Sequence, residues 1–148
     1  MNPTFSFKKA TLDDAHLLYN WANDPTVRKN AINTQNIAWE NHRSWLEEKL
    51  KNPNSLILIL FQNEDPIGQI RLDWHNEFWL IDYSIDSIYR GLGLGKKIIE
   101  LIIKETYKPL KAVVRKTNES SNKIFINCGF QSNEIKINNE DYFEYIYK

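Results

Sequence analysis

Apolar residues in this chain fall into runs of two periods, and those runs mark out its elements. Phe5 and Phe7 flank Ser6, an alternation that predicts a first strand. Thr11 with Asp13 and Asp14 reads as a helix entry, Thr11 being the N-cap; Leu17, Leu18 and Trp21 supply the apolar side. Asn23-Asp24-Pro25 ends that helix. A second helix is expected over 37–50, where Trp39, His42, Leu46 and Leu50 recur at helical spacing. Residues 55–61 read as a buried strand, followed by a turn over 63–66. Residues 67–74 and 78–86 read as two further strands joined near His75-Asn76. In the helix expected over 96–107, Ile98, Ile99, Ile102 and Ile103 form one apolar stripe, and Pro109 closes it. Ala112–Val114 is a short strand, 119–128 a helix closed by Gly129, and the tail from Tyr142 to Tyr147 is strand-like. The order β-α-α-β-β-β-α-β-α-β-β predicts a mixed α/β or α+β fold in one domain over 1–148.

Composition narrows the function classes. Nineteen basic and nineteen acidic residues cancel, so no overall field favours nucleic acid or an acidic membrane. The lone cysteine, Cys128, makes no internal disulfide, and no Cys/His spacing suggests zinc, so no metal is expected. The longest apolar run, Leu56–Phe61, is far too short to span a bilayer, and no N-terminal stretch reads as a signal peptide. The expectation is a soluble cytoplasmic protein, monomer or homodimer.

One segment carries chemistry. Tyr89-Arg-Gly-Leu-Gly-Leu-Gly-Lys96 holds three of the five glycines of the chain, between a strand and a helix. Glycines at every second position leave backbone N–H groups uncovered, and the helix N-terminus behind them adds a positive dipole end, an arrangement suited to phosphate. The spacing is neither G-x-G-x-x-G nor a P-loop, because Lys97 stands where the P-loop needs Ser or Thr. It fits Arg-x-x-Gly-x-Gly, with Arg90, Gly93 and Gly95. A glycine-rich turn without a ligand is the plain alternative.

That motif resembles the pyrophosphate loop of the GNAT acetyltransferases. The element order is similar to theirs, and Asn118 through Gly129-Phe130 resembles their second signature. The resemblance covers essentially the whole chain and implies the GNAT fold, a mostly antiparallel mixed sheet of about seven strands flanked by four helices, with acetyl-CoA as cosubstrate. It implies that Arg90, Gly91, Leu92, Gly93, Leu94, Gly95 and Lys96 hold the diphosphate, and that backbone groups of Tyr83 and Ile85 hydrogen-bond the pantetheine arm. The Ile85 N–H would be the oxyanion donor, and Asn118 and Ser121 would contact the arm. The chain departs from the family pattern at Phe125, where many members carry a tyrosine that protonates the leaving thiolate. An Asn at a helix start is equally an N-cap.

Within the superfamily, Trp21 to Asn30 with Ile37, His42 and Trp45, and Gly68 to Asp73, resemble the acetyltransferases of pseudaminic- and legionaminic-type sugar biosynthesis. This implies a small-molecule acceptor, a nucleotide-linked aminosugar, held by Trp21, Asn23, Arg28, Asn30, His42, Trp45 and Arg71. Arg28 and His42 suit phosphate contact. His75, Glu77 and Asp82 are the candidate bases because they flank or lie on the central strands; as plain structure they read as surface, turn and strand residues. Two other readings stay open: a protein N-terminal acetyltransferase of the ribosomal-protein type, and an acyl-CoA-binding module without catalysis.

Overall fold

The structure is a computed structural model that describes residues 2–148. Strands β1 (Phe5–Lys9), β2 (Ser55–Gln62), β3 (Asp65–Trp74), β4 (Trp79–Ile85), β5 (Leu110–Arg115), β6 (Gln131–Ile137) and β7 (Glu140–Tyr147) form one sheet in the order β1-β2-β3-β4-β5-β7-β6. Every neighbouring pair is antiparallel except β4–β5. Helices α1 (Ala15–Ala22), α2 (Pro25–Asn30) and α3 (Trp39–Lys51) precede β2, α4 (Leu94–Ile103) joins β4 to β5, and α5 (Glu119–Asn127) joins β5 to β6.

Each helix has a local cause. Thr11, expected as an N-cap, makes a capping box with Asp14 over a 3-10 turn (Leu12–Asp14) that leads into α1. The turn expected at Asn23-Asp24-Pro25 starts a fifth helix instead, so four helices become five. The Asp24 carboxylate accepts from the N–H groups of Thr26 and Val27 with Pro25 in the first turn, a sequence signature of a helix start. Ile98, Ile99 and Ile102 are fully buried along one side of α4. Each contributes about 1.5–3 kcal/mol of apolar burial.

The run Leu56–Phe61 is explained by two cores, one on each face of the sheet. Ile57 and Ile59 pack with Leu18, Trp21 and Leu46 beneath α1 and α3. Leu58 and Leu60 point the other way, into the larger core with Ile98, Ile99 and Phe125 beneath α4 and α5. On β3 and β4 the two faces part company. Ile70, Leu72 and Ile81 join the larger core, while Gln69, Arg71, Asp82 and Ser84 line a cavity with residues of α1, α2 and α3. The sheet is therefore apolar on one side and locally polar on the other.

Candidate active site

β4 and β5 pair at only two positions, Trp79 with Leu110 and Leu80 with Lys111, and then separate. Asp86 N–H donates to the Ile67 carbonyl on the β3 side, and Trp79 N–H to the Pro109 carbonyl on the β5 side. Backbone direction alternates along a strand, so the N–H groups of Tyr83 and Ile85 face the gap that β5 has left. The Ile85 carbonyl already accepts from Arg90 Nε at 3.1 Å.

The gap opens into a cleft of about 860 Å³ between β4, β5, the glycine turn, α2 and α5. Gly93 is the N-cap of α4 with φ 77° and no side-chain cap, so the first N–H groups of the helix are left for something else. A Cβ at Gly95 would lie 2.9 Å from Ile124 Cδ1, so a larger residue there would require the Ile124 side chain on α5 to shift. Leu94 is buried beneath the helix, whereas Gly91, Leu92 and Lys96 are exposed. Lys96 lines the cleft and makes no ion pair among the described residues.

Arg90, expected at the diphosphate, lines the cleft with two of its nitrogens already engaged within the fold. Its Nη2 bonds Asp24 Oδ1 at 3.0 Å while Nε holds the end of β4, so it ties α2 to the strand. Burial would raise the Asp24 pKa, yet Arg90 and the N–H groups of Val27 and Thr26 together bring it below the usual carboxylate value. Asn118 caps α5 by accepting from Ser121 N–H at 3.3 Å. Ser121 Oγ lies 2.7 Å from Tyr83 Oη. Burial pushes the Tyr83 pKa up to about 12, against the Ser121 bond, so the phenol is neutral at ordinary pH. Phe125, 1 % exposed, touches the cleft but stacks on Tyr145 at 5.2 Å and meets Phe130 edge-on.

On the opposite face lies the second cavity, about 350 Å³, roofed by α1, α2, α3 and Ile37 and floored by Gln69, Arg71, Asp82 and Ser84. Trp21, Arg28, His42, Trp45 and Arg71 all line it, as the sequence led one to expect. Asn23 and Asn30 do not. Asn23 exchanges two hydrogen bonds with the Ile37 backbone, at 2.8 and 2.9 Å, and so holds the cavity wall from behind. Asn30 turns to the Thr26 carbonyl and faces the larger cleft. Trp21 is both wall and core, 7 % exposed, with Nε1 donating to Asp86 at 2.8 Å.

Two expected phosphate contacts change character. Arg28 spends Nε on the Ala22 carbonyl and Nη1 on the carbonyls of Asn33 and Gln35, which fixes the segment leading to Ile37. Its charge has no carboxylate partner at ion-pair distance among the described residues; burial lowers its pKa and the nearby Asp82 works the other way. His42 is 3 % exposed, and its Nδ1 is the one buried side-chain polar atom without a partner among the described residues. Burial lowers its pKa, which makes it a neutral imidazole rather than a cation for phosphate.

Of the candidate bases, His75 and Glu77 sit in the β3–β4 turn and line neither cavity. Asp82 lines both. So do Ser84, Val27 and Arg28, and these four residues form the wall common to both cavities, their junction. Tyr83 lies between Asp82 and Ser84 in the strand, so its N–H is nearer that junction than the Ile85 N–H. Gln69 and Ser84, which also line the smaller cavity, were not among the residues expected from sequence, although the polar rows Gln69-x-Arg71-x-Asp73 and Asp82-x-Ser84 stand out once both strands are paired.

Nothing among the described residues groups three metal-ligating side chains, and no helix is long and apolar enough to cross a membrane.

A family description, the acetyltransferase (GNAT) domain, matches residues 5–131. No curated protein matches the chain in sequence. Among solved structures, an uncharacterised protein from Bacillus halodurans superposes with a TM-score of 0.86 at 19% identity, covering 99% of this chain and 85% of its own. Spermidine N-acetyltransferase from Vibrio cholerae, in complex with CoA and spermine, gives 0.84 at 12% identity over 97% of this chain and 94% of its own. RimL, a ribosomal L7/L12 alpha-N-protein acetyltransferase in complex with coenzyme A, gives 0.81 at 13% over 97% and 93%.

Proposed function

The chain belongs to the GNAT acetyltransferase family, and from that premise we propose that it N-acetylates the amino group of a nucleotide-linked amino-deoxysugar. Acetyl-CoA supplies the acetyl group as a thioester. The residues present suit that donor: uncapped N–H groups at the start of α4 beside Lys96 for the diphosphate, and strand-edge N–H groups at Tyr83 and Ile85 for the arm.

The observation that carries the acceptor reading is the make-up of the smaller cavity. It holds two guanidinium groups, Arg28 and Arg71, one carboxylate, Asp82, and the aromatic rings of Trp21 and Trp45. A polycation such as a polyamine or aminoglycoside would meet more positive than negative charge there. A molecule with one amine and one anionic group, joined by a ring that stacks on indole, has a partner for each part.

Asp82 would hold the amine at the junction and pass its proton through water to solvent, freeing the nitrogen lone pair for the thioester carbonyl carbon. As the C–N bond forms and the C–S bond breaks, the nitrogen would lose its second proton by the same route through Asp82 and water, and the Tyr83 N–H would receive the charge that gathers on the carbonyl oxygen. This moves the oxyanion role one inward-facing position from Ile85, because the junction of the cavities lies at Asp82 and Ser84. Phe125 offers no proton, so sulfur departs as thiolate, tolerable for an alkyl thiol near neutral pH.

The test is acetyl-CoA turnover, followed as free thiol, against UDP- and CMP-linked aminosugars, N-terminal peptides, spermidine and an aminoglycoside. Thiol release confined to an aminosugar nucleotide is expected. Release with peptides alone would make the protein a modifier of N-termini, and coenzyme binding without release for any acceptor would favour a binding module.

A further inference from the structure

Arg71 and Asp82 are direct cross-strand partners on β3 and β4, on the same face, yet form no ion pair. Arg71 Nε turns instead to Asp73 Oδ2, two residues along its own strand, at 3.0 Å. The other oxygen of Asp73 accepts from Ser55 Oγ at 2.6 Å and Lys49 Nζ at 2.9 Å. The Cζ of Arg71 lies over the Trp45 ring, 5.1 Å from its centroid. The carboxylate on Nε and the indole beneath Cζ hold the guanidinium in place from two sides. Its terminal nitrogens Nη1 and Nη2 have no partner among the described residues, although Arg71 lines the cavity.

The charges do not cancel. Asp73 carries one negative charge between two cations, Lys49 and Arg71, leaving the group net positive. Burial alone would raise the Asp73 pKa, but Ser55, Lys49 and Arg71 outweigh it and keep the carboxyl below its usual value, so it stays ionised near neutrality. Arg28, by contrast, has spent most of its donors on backbone carbonyls.

We infer that Arg71, held in place by Asp73 and Trp45, is the anion subsite of the acceptor cavity and takes a pair of oxygens from a phosphate or carboxylate on the acceptor. Asp73, which does not line the cavity, acts as a positioning residue. The subsite builds on the proposed acetyl transfer to an amine that carries an anion, and moves the anion contact from Arg28 to Arg71. Asp82, released from its cross-strand partner, is left for the amine. An acceptor would thus be read by two opposite charges on adjacent strands.

The test is calorimetric titration of the protein with inorganic pyrophosphate and, separately, with succinate, in saturating coenzyme A so that the glycine turn is occupied. The anion that binds identifies the source, diphosphate or carboxylate. Arg71→Ala is expected to weaken that anion by about 10-fold or more, the loss of two hydrogen bonds to a charged group, with the coenzyme Kd unchanged. Arg71→Lys, which keeps charge but loses the fork, is expected to recover only part of it. Asp73→Asn should raise the acceptor KM several-fold while kcat and the acetyl-CoA KM hold. Binding of neither anion by the wild-type protein, equal binding by Arg71→Ala, or loss confined to Arg28→Ala would each overturn the inference. An Arg71-dependent anion in a protein that acetylates no aminosugar nucleotide would support the subsite and sink the sugar reading alone.

Discussion

The two cavities of this protein are built from different materials. The larger cleft takes its distinctive features from the backbone: two strands that stop pairing, a glycine N-cap and a row of uncovered N–H groups. The smaller is made of side chains brought from three helices and three strands, with two guanidinium groups, a carboxylate, an imidazole and two indoles in its wall. A backbone site tolerates changes of side chain and fails when the chain path is disturbed. A side-chain site has the opposite sensitivity, and it is where specificity resides.

Four substitutions probe that contrast. Asp82→Asn, at the junction, should lower kcat about 100-fold while leaving the coenzyme Kd within a factor of two or so, as expected for loss of a proton-accepting group. An equal loss in coenzyme binding would mean that the two cavities do not separate as described. Gly93→Val forces a β-branched residue to φ 77° at the helix entry. It should cost roughly 1–2 kcal/mol or more of local strain and weaken coenzyme binding about 10-fold, as measured by calorimetry. Tight binding by that variant would remove the glycine turn from the site.

His42 gives a smaller, pH-dependent effect. Its folded pKa lies below the ordinary value of 6.5, so its contribution to stability is complete above 6.5. As pH falls below that, the unfolded chain takes up a proton that the fold resists, and stability declines. His42→Phe, which also removes the unpartnered Nδ1, should flatten the fall in Tm below pH 6.5. An unchanged slope would place the acid sensitivity elsewhere. Least of all, Tyr83→Phe removes a hydroxyl paired with Ser121 and should cost about 1 kcal/mol, a Tm drop of about 2–4 °C. A fall in kcat much larger than that would bring the phenol itself into the chemistry.

Legibility followed the same division. The glycine turn could be read directly, because its residues are contiguous and glycine spacing states what the backbone does. The β4 segment was equally readable, though not that the Tyr83 N–H lies nearer the junction than that of Ile85. The α2 helix was hidden in a segment read as a turn, although Asp24-Pro25 is itself a helix start. His75 and Glu77 looked like candidate bases only because proximity in sequence to a central strand says nothing about which end of it faces the cavities.

What the sequence determined by itself was periodic and local: two-faced burial of Leu56–Phe61, the isoleucine stripe of α4, the caps at Thr11 and Asn118, and an anion-ready turn at Gly91–Gly95. Only the tertiary structure decided which charges remain available. Arg28, Arg71 and Arg90 are equivalent guanidinium groups in a sequence. In the fold, Arg28 spends Nε and Nη1 on carbonyls, Arg90 ties Asp24 to the end of β4, and of the three Arg71 alone has both terminal nitrogens without a partner among the described residues. The competition for each cation is settled by partners up to 66 positions away in the chain, a distance over which no local pattern carries information.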